Sequence, residues 1–75
     1  MEINIMNFGL AIEAMKDGQK VSRKGWNGRG MWIAIQMPDK LSKMQLPYIY
    51  MSTAQRELVP WLASQSDMLA EDWEY

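Results

Sequence analysis

The segment Lys20-Val21-Ser22-Arg23-Lys24-Gly25-Trp26-Asn27-Gly28-Arg29-Gly30-Met31-Trp32-Ile33-Ala34-Ile35-Gln36-Met37 decides the fold class. From Met31 to Met37 the side chains alternate as a strand requires: Met31, Ile33, Ile35 and Met37 share one face, and Trp32, Ala34 and Gln36 share the other. Val21 and Arg23 alternate with Ser22 and Lys24, which predicts a short strand between Lys20 and Trp26. Gly25, Gly28 and Gly30 interrupt what lies between. Asn27-Gly28 is a strong turn dipeptide, because both residues tolerate positive φ. The whole segment reads as a β-hairpin.

Upstream, Phe8, Ala11, Ile12 and Met15 recur at helical spacing and make one apolar stripe. Asn7 is placed to cap that helix, and Gly18 to end it in a left-handed C′ conformation. Downstream, Pro38 to Pro47 reads as a surface loop whose Leu41, Met44 and Leu46 cover an edge. Tyr48 to Thr53 predicts a third strand, with Ile49 and Met51 opposite Tyr48 and Tyr50. Ala54 to Arg56 turn the chain into a fourth strand, Glu57 to Trp61, where Pro60 implies an edge, a bulge or the strand's end. Ser64 or Ser66 caps a short helical turn through Leu69, with Asp67 favoured near its positive end. Trp73 closes an acidic tail. The expected architecture is α+β, one domain over residues 1–75: an N-terminal helix packed on a small antiparallel sheet, with a short C-terminal helical turn.

Composition narrows the function. A chain of 75 residues buries only about 60% of the surface its unfolded form exposes. With no cysteine, 48% hydrophobic residues and four tryptophans, it is expected to gain further burial by self-association. The absence of Cys and His removes zinc sites, Ser-His-Asp triads, Cys-His pairs and histidine acid-base catalysis. A net charge of -1 argues against a nucleic-acid polymer or an anionic membrane as partner. No apolar run approaches the ~18 residues of a membrane span. Met1 to Asn4 do not begin a secretory signal, so an intracellular location is expected.

Three segments pair a planar ring with hydrogen-bonding side chains: Asn7-Phe8-Gly9, Arg23-Lys24-Gly25-Trp26-Asn27-Gly28, and Val59-Pro60-Trp61-Leu62-Ala63-Ser64-Gln65-Ser66-Asp67. A nucleotide needs this mixture. Its base needs a π face, worth about 1–3 kcal/mol. Its ribose hydroxyls need an acceptor such as Asp67, or amides such as Asn27 or Gln65. Its phosphates need cations or backbone amides. The ordinary alternative is that Phe8, Trp26, Trp61 and Trp73 simply fill a small core. Lys16, Lys20, Arg23, Lys24 and Arg29 are five of the eight cations, while Asp67 to Tyr75 holds four acids and no base. The basic run reads either as an anion site or as a charged face paired with the acidic tail of the same or a neighbouring chain. Glu71, Asp72 and Glu74 lack the spacing of a calcium loop.

Beyond these readings, several ordered motifs closely resemble one phage family, the Thoeris anti-defence 2 proteins. They are Asn7-Phe8-Gly9-x-Ala11-Ile12-Glu13-Ala14, Lys20-Val21-x-Arg23-x-Gly25-Trp26-Asn27-Gly28-x-Gly30-Met31, Leu46-Pro47-Tyr48-Ile49 and Leu58-Val59-Pro60-Trp61-Leu62-Ala63-Ser64-Gln65-x-Asp67-x-Leu69-Ala70-x-Asp72-Trp73. The resemblance runs from about Asn7 to Glu74 and is weakest over residues 38–45.

The resemblance implies a non-enzymatic sponge that acts in the cytoplasm of an infected bacterial host. Such proteins sequester glycocyclic ADP-ribose, the signal made by TIR-domain immune enzymes, and so keep the Thoeris effector inactive. Members form homo-oligomers, typically tetramers, with ligand pockets between protomers. Some also hold cyclic di- or trinucleotides of the CBASS system at separate sites. By motif match, Phe8 and Trp26 are expected to stack on the base or line the pocket. Arg23 and Asn27 are expected to meet phosphate or ribose oxygens. Trp61, Ser64, Gln65 and Asp67 are expected to complete the site, partly from a second chain. No cofactor or metal is implied. The competing reading is a structural or protein-interaction module of a prophage with no nucleotide ligand; an enzyme that degrades the signal with carboxylates is a remote third.

Overall fold

In the computed structural model, which describes residues 6–75, Asn7 opens the first helix by accepting the Leu10 amide at 2.9 Å. This helix, α1, spans Phe8–Lys16 and buries Ala11, Ala14 and Met15. Gly18, at φ +91°, takes the left-handed turn that ends it. The remaining elements are β1 (Ser22–Arg23), β2 (Trp32–Gln36), β3 (Tyr48–Ser52), β4 (Leu58–Pro60), α2 (Gln65–Leu69) and β5 (Trp73–Glu74). The class is α+β, as the alternating and helical patterns predict.

β2, β3 and β4 form an antiparallel meander, with Ile33 opposite Met51 and Met51 opposite Val59. Pro60 is the last residue of β4, the outer strand, where its missing N–H removes no ladder bond. The predicted hairpin between the first two strands does not form along its length. β1 pairs instead with β5, Ser22 opposite Glu74 and Arg23 opposite Trp73. Only the isolated bridge between Val21 and Ile33 joins it to β2. Nor do Asn27 and Gly28 adopt the positive φ of a tight hairpin turn; Gly30, at φ +72°, does so instead. β2 thus meets this segment at one edge, through Val21, and β5 pairs along the other.

That partner is the acidic tail, which is a strand. Met6 bridges Trp73 on the side away from Arg23, with Met6 N–H donating to the Trp73 carbonyl at 2.6 Å and Trp73 N–H donating to the Met6 carbonyl at 3.0 Å. The Trp73 side chain is fully buried beside Ala11, Met15, Val21, Ile33 and Met51. The Pro38–Pro47 loop departs from expectation in a different way. Leu41 is 93% and Leu46 76% exposed, so these side chains do not cover an edge within one chain. The loop is shaped by Asp39, whose carboxylate accepts the Leu41 amide and the Ser42 hydroxyl and is held below the ordinary carboxylate pKa by them.

Trp73 is the largest fully buried side chain among the described residues. Truncating a buried tryptophan costs ~3–5 kcal/mol, against a total stability of roughly 4–11 kcal/mol for a chain of this length. Trp73→Ala is therefore expected to lose most of its cooperative transition in chemical denaturation. An unchanged midpoint would show that the fold does not depend on this indole.

Candidate functional site

Four aromatic rings converge where β5 meets the start of α1. The Trp73 ring lies 5.4 Å from Phe8, 5.4 Å from Trp26 and 6.1 Å from Trp61, centroid to centroid. Trp61 in turn lies 6.2 Å from Phe8 and 6.4 Å from Trp26. The pairs involving two indoles meet edge to face, the arrangement that ring quadrupoles favour. Burial divides the four by role. Trp73 is wholly enclosed, whereas Phe8, Trp26 and Trp61 are half-buried and keep part of their surface in water. These three rings form a wall backed by the fourth.

Asp67 ties the wall to the charged groups. Its Oδ1 accepts Arg23 Nη1 at 2.9 Å and Trp26 Nε1 at 3.2 Å. Its Oδ2 accepts the Ser64 amide at 3.3 Å, while the Ser64 hydroxyl accepts the Asp67 amide at 3.1 Å. That reciprocal pair is a capping box, and it identifies Ser64 as the N-cap of α2. The Asp67 backbone carbonyl accepts Trp73 Nε1 at 3.0 Å. One residue therefore sets the start of α2 and orients two indoles.

Arg23 sits between two carboxylates. Nε donates to Asp72 Oδ1 at 2.8 Å and Nη1 to Asp67 Oδ1 at 2.9 Å. The bonds to Asp72 and Asp67 raise the already high pKa of the guanidinium. Burial works against ionising Asp67, but the bonds from Arg23, Trp26 and Ser64 outweigh it, and its pKa lies below the ordinary carboxylate value. Asp72 is lowered chiefly by its bond from Arg23 and further by the Gly25 amide.

The sequence-derived candidates thus fall into two groups. Phe8, Arg23, Trp26, Trp61, Ser64 and Asp67 touch one another in a single cluster. Asn27 and Gln65 are exposed at its rim, on the loop after Trp26 and the first turn of α2, and hydrogen-bond to none of the others. Arg23 and Asp67 spend their polar atoms on each other and on neighbouring groups. The residues missed were Trp73, Asp72 and Gly25. The opposed charges of the basic run and the acidic tail were the signal for Asp72; no charge marks Trp73 or Gly25.

Two of the surface grooves are lined by β3, β4 and the 38–47 loop. One, of about 250 Å³, is lined by Gln36, Met44, Tyr48, Tyr50, Leu58, Val59 and Pro60. The other, of about 630 Å³, runs along the Lys43–Ile49 segment to Pro60 and Trp61. Trp61 therefore borders both the ring wall and the larger groove.

This arrangement of an N-terminal capped helix, a Trp-Asn-Gly loop and a C-terminal Trp strand extends over a chain whose residues 6–75 match the family model described as a Thoeris anti-defense 2-like domain. The chain belongs to that family. It is also similar to a curated protein of Bacillus phage SP01 named "Thoeris anti-defense 2", with 35% identity over 82 residues and 92% of each chain covered. Membership supports a phage anti-defence role. Among the described residues, no helix is long and apolar enough to cross a membrane, and no cluster of His, Cys, Asp and Glu is placed to hold a metal ion.

Because Asp67 and Asp72 titrate below their ordinary value in the folded chain, their contribution to stability is complete above about pH 4, where an unfolded carboxylate is ionised. It is lost as pH falls through their lower folded values. Thermal unfolding should show a midpoint nearly constant from neutrality to about pH 5 and declining below about pH 4. Asp67→Asn should lower the neutral midpoint and flatten the acidic decline. A decline of unchanged steepness in that variant would place the acid-sensitive groups elsewhere.

Proposed function

We propose that this protein binds glycocyclic ADP-ribose and holds it without cleaving it, so that the Thoeris effector is not activated. The observation that supports this reading best is the partly exposed wall of Phe8, Trp26 and Trp61, in a chain that matches the anti-defence family along its described length. Planar faces suit an adenine base. Asn27, Ser64 and Gln65 supply neutral hydrogen-bonding groups at the rim for ribose hydroxyls. Lys24, exposed next to the Trp26 loop, supplies a cation for the phosphates.

Sequestration requires no chemical step. It requires free ligand to fall below the level the effector senses, which tight, slowly released, stoichiometric binding accomplishes. In this reading the pocket is completed by a second copy of the chain in a homo-oligomer, a tetramer by family likeness. Leu41, Leu58, Leu62 and Leu69 are 66–93% exposed and offer apolar surface for such contacts. Cyclic di- and trinucleotides share the base, sugar and phosphate chemistry and form a second ligand class to examine. The acting compartment is the host cytoplasm, where the signal is made.

The same exposed leucines favour one other reading, an interaction module that binds a protein and no nucleotide. One experiment separates the possibilities. The purified protein is mixed with glycocyclic ADP-ribose, freed of unbound ligand, heated, and the released compound identified. Intact ligand is the expected outcome; altered ligand would make the protein an enzyme, and none at all would favour the interaction module. Trp26→Ala should abolish retention, whereas Trp26→Phe, which keeps a ring face, should retain part of it. Retention should also weaken modestly at high salt, since Lys24 is solvent-exposed.

A further inference from the structure

We infer that Asp72 is a positioning residue: it straps the Arg23–Trp26 segment to the C-terminal strand and so holds the Trp26 ring ready for ligand. The geometry is independent of any ligand; its consequence for binding rests on the function proposed above.

Asp72 reaches three consecutive residues. Its Oδ1 accepts Arg23 Nε at 2.8 Å, its Oδ2 accepts the Gly25 amide at 2.8 Å, and its backbone carbonyl accepts the Lys24 amide at 3.1 Å. The β1–β5 ladder ends at the pair Arg23 and Trp73. Without Asp72, nothing in that ladder would hold the chain beyond Arg23. The strap carries the pairing two residues further, to the residue before Trp26. At that point Asp67 takes over, accepting the Trp26 indole N–H. The Trp26 N–H donates to the Arg23 carbonyl at 3.2 Å, so its backbone is tied to the segment that Asp72 straps, and its ring is held by Asp67.

Gly25 supplies a second, steric observation. A Cβ built on it would lie 2.9 Å from Asp72 Oδ2 and 3.4 Å from Arg23 Nη2. Only glycine lets the carboxylate approach the backbone this closely. The first glycine of the Gly-Trp-Asn-Gly motif, Gly25, thus serves the strap, within the turn that the Trp26 N–H closes on the Arg23 carbonyl.

The strap matters for binding because a ring already held in place loses less freedom when a ligand stacks on it. It also changes the part played by Arg23. Two carboxylates and one guanidinium leave the cluster with a single net negative charge. Arg23 then acts as the buckle of the strap, and attraction for phosphate falls to Lys24 and Arg29, which form no ion pair among the described residues.

The experiment measures amide hydrogen exchange and glycocyclic ADP-ribose affinity on the full chain for wild type, Asp72→Ala, Asp72→Asn and Gly25→Ala. In Asp72→Ala, exchange at Gly25, whose amide loses its acceptor, should rise about tenfold or more, with smaller rises at Lys24 and Trp26, which keep backbone acceptors, and Ile33 to Ile35 unchanged; affinity should fall about tenfold. Asp72→Asn keeps one acceptor oxygen for the Gly25 amide and should fall between that variant and wild type. Gly25→Ala should reproduce the local loosening with Asp72 still present, which covers the case of an alanine variant that fails to fold. Unchanged exchange at 24–26, or a rise shared by the whole chain, would overturn the strap. A local rise with unaltered affinity would overturn its role in positioning Trp26. Absence of binding by wild type would instead refute the ligand reading, and the exchange pattern would still decide for or against the strap.

Discussion

Enclosing the Trp73 indole is the constraint from which the rest of this structure follows. The residue lies two positions from the C-terminus, yet its side chain is fully buried and its backbone pairs on both sides, with Met6 and with Arg23. A large aromatic contributes more apolar burial than any other side chain type, and this chain has few other means of stabilisation. It has no cysteine, and its core is small. Residues near the two ends of the chain must therefore be in place together. α1 brings Ala11 and Met15 to one side of the indole, and the β1–β2 junction brings Val21 and Ile33 to the same core.

Burying an indole also means satisfying its N–H, and this requirement carries the fold into the candidate site. Trp73 Nε1 donates to the carbonyl of Asp67, whose side chain in turn accepts Trp26 Nε1 and Arg23. α2 is only one turn and a half long, too short to persist on its own propensity. It is held by its capping box and by these bonds from outside. The partly exposed rings of Phe8, Trp26 and Trp61 rest on this arrangement. Their outer faces are presented by a network in which, among the described residues, every buried side-chain polar atom finds a partner.

The electrostatics have the same economy. Opposite charges at sequence separations of 44 and 49 residues meet in one small cluster, most screened from solvent at Asp67 and Arg23 and least at Asp72. The cluster orders a loop more than it creates a field. A protein that retains a small molecule needs this kind of order, since rigid ring faces and satisfied neighbours lower the entropy lost on binding. The exposed aliphatic residues of the 38–47 loop, β4 and α2 lie outside this core.

Local elements were legible in the sequence because local rules govern them. Asn7 and Ser64 announce helix starts through side-chain capping, Gly18 announces a helix end, and the alternation from Trp32 to Gln36 and from Tyr48 to Ser52 announces paired strands. The segments carrying Phe8, Arg23, Trp26, Trp61, Ser64 and Asp67 stand out by ring and hydrogen-bonding composition, whereas the choice of these residues came from the family resemblance; the six do meet. What composition did not contain was pairing at a distance. The segment Val21 to Lys24 meets β2 at one edge, through the Val21–Ile33 bridge, and β5 at the other, and its alternating pattern names neither partner. The choice of β5 depends on burying Trp73 and on joining Arg23 to Asp67 and Asp72, contacts between residues more than forty positions apart that no local periodicity records. The sequence by itself thus determined the elements and the chemistry available to them. Only the tertiary structure decided which strand closes the fold, and therefore that Arg23 faces carboxylates while Trp73 is enclosed and Phe8, Trp26 and Trp61 keep part of their surface in water.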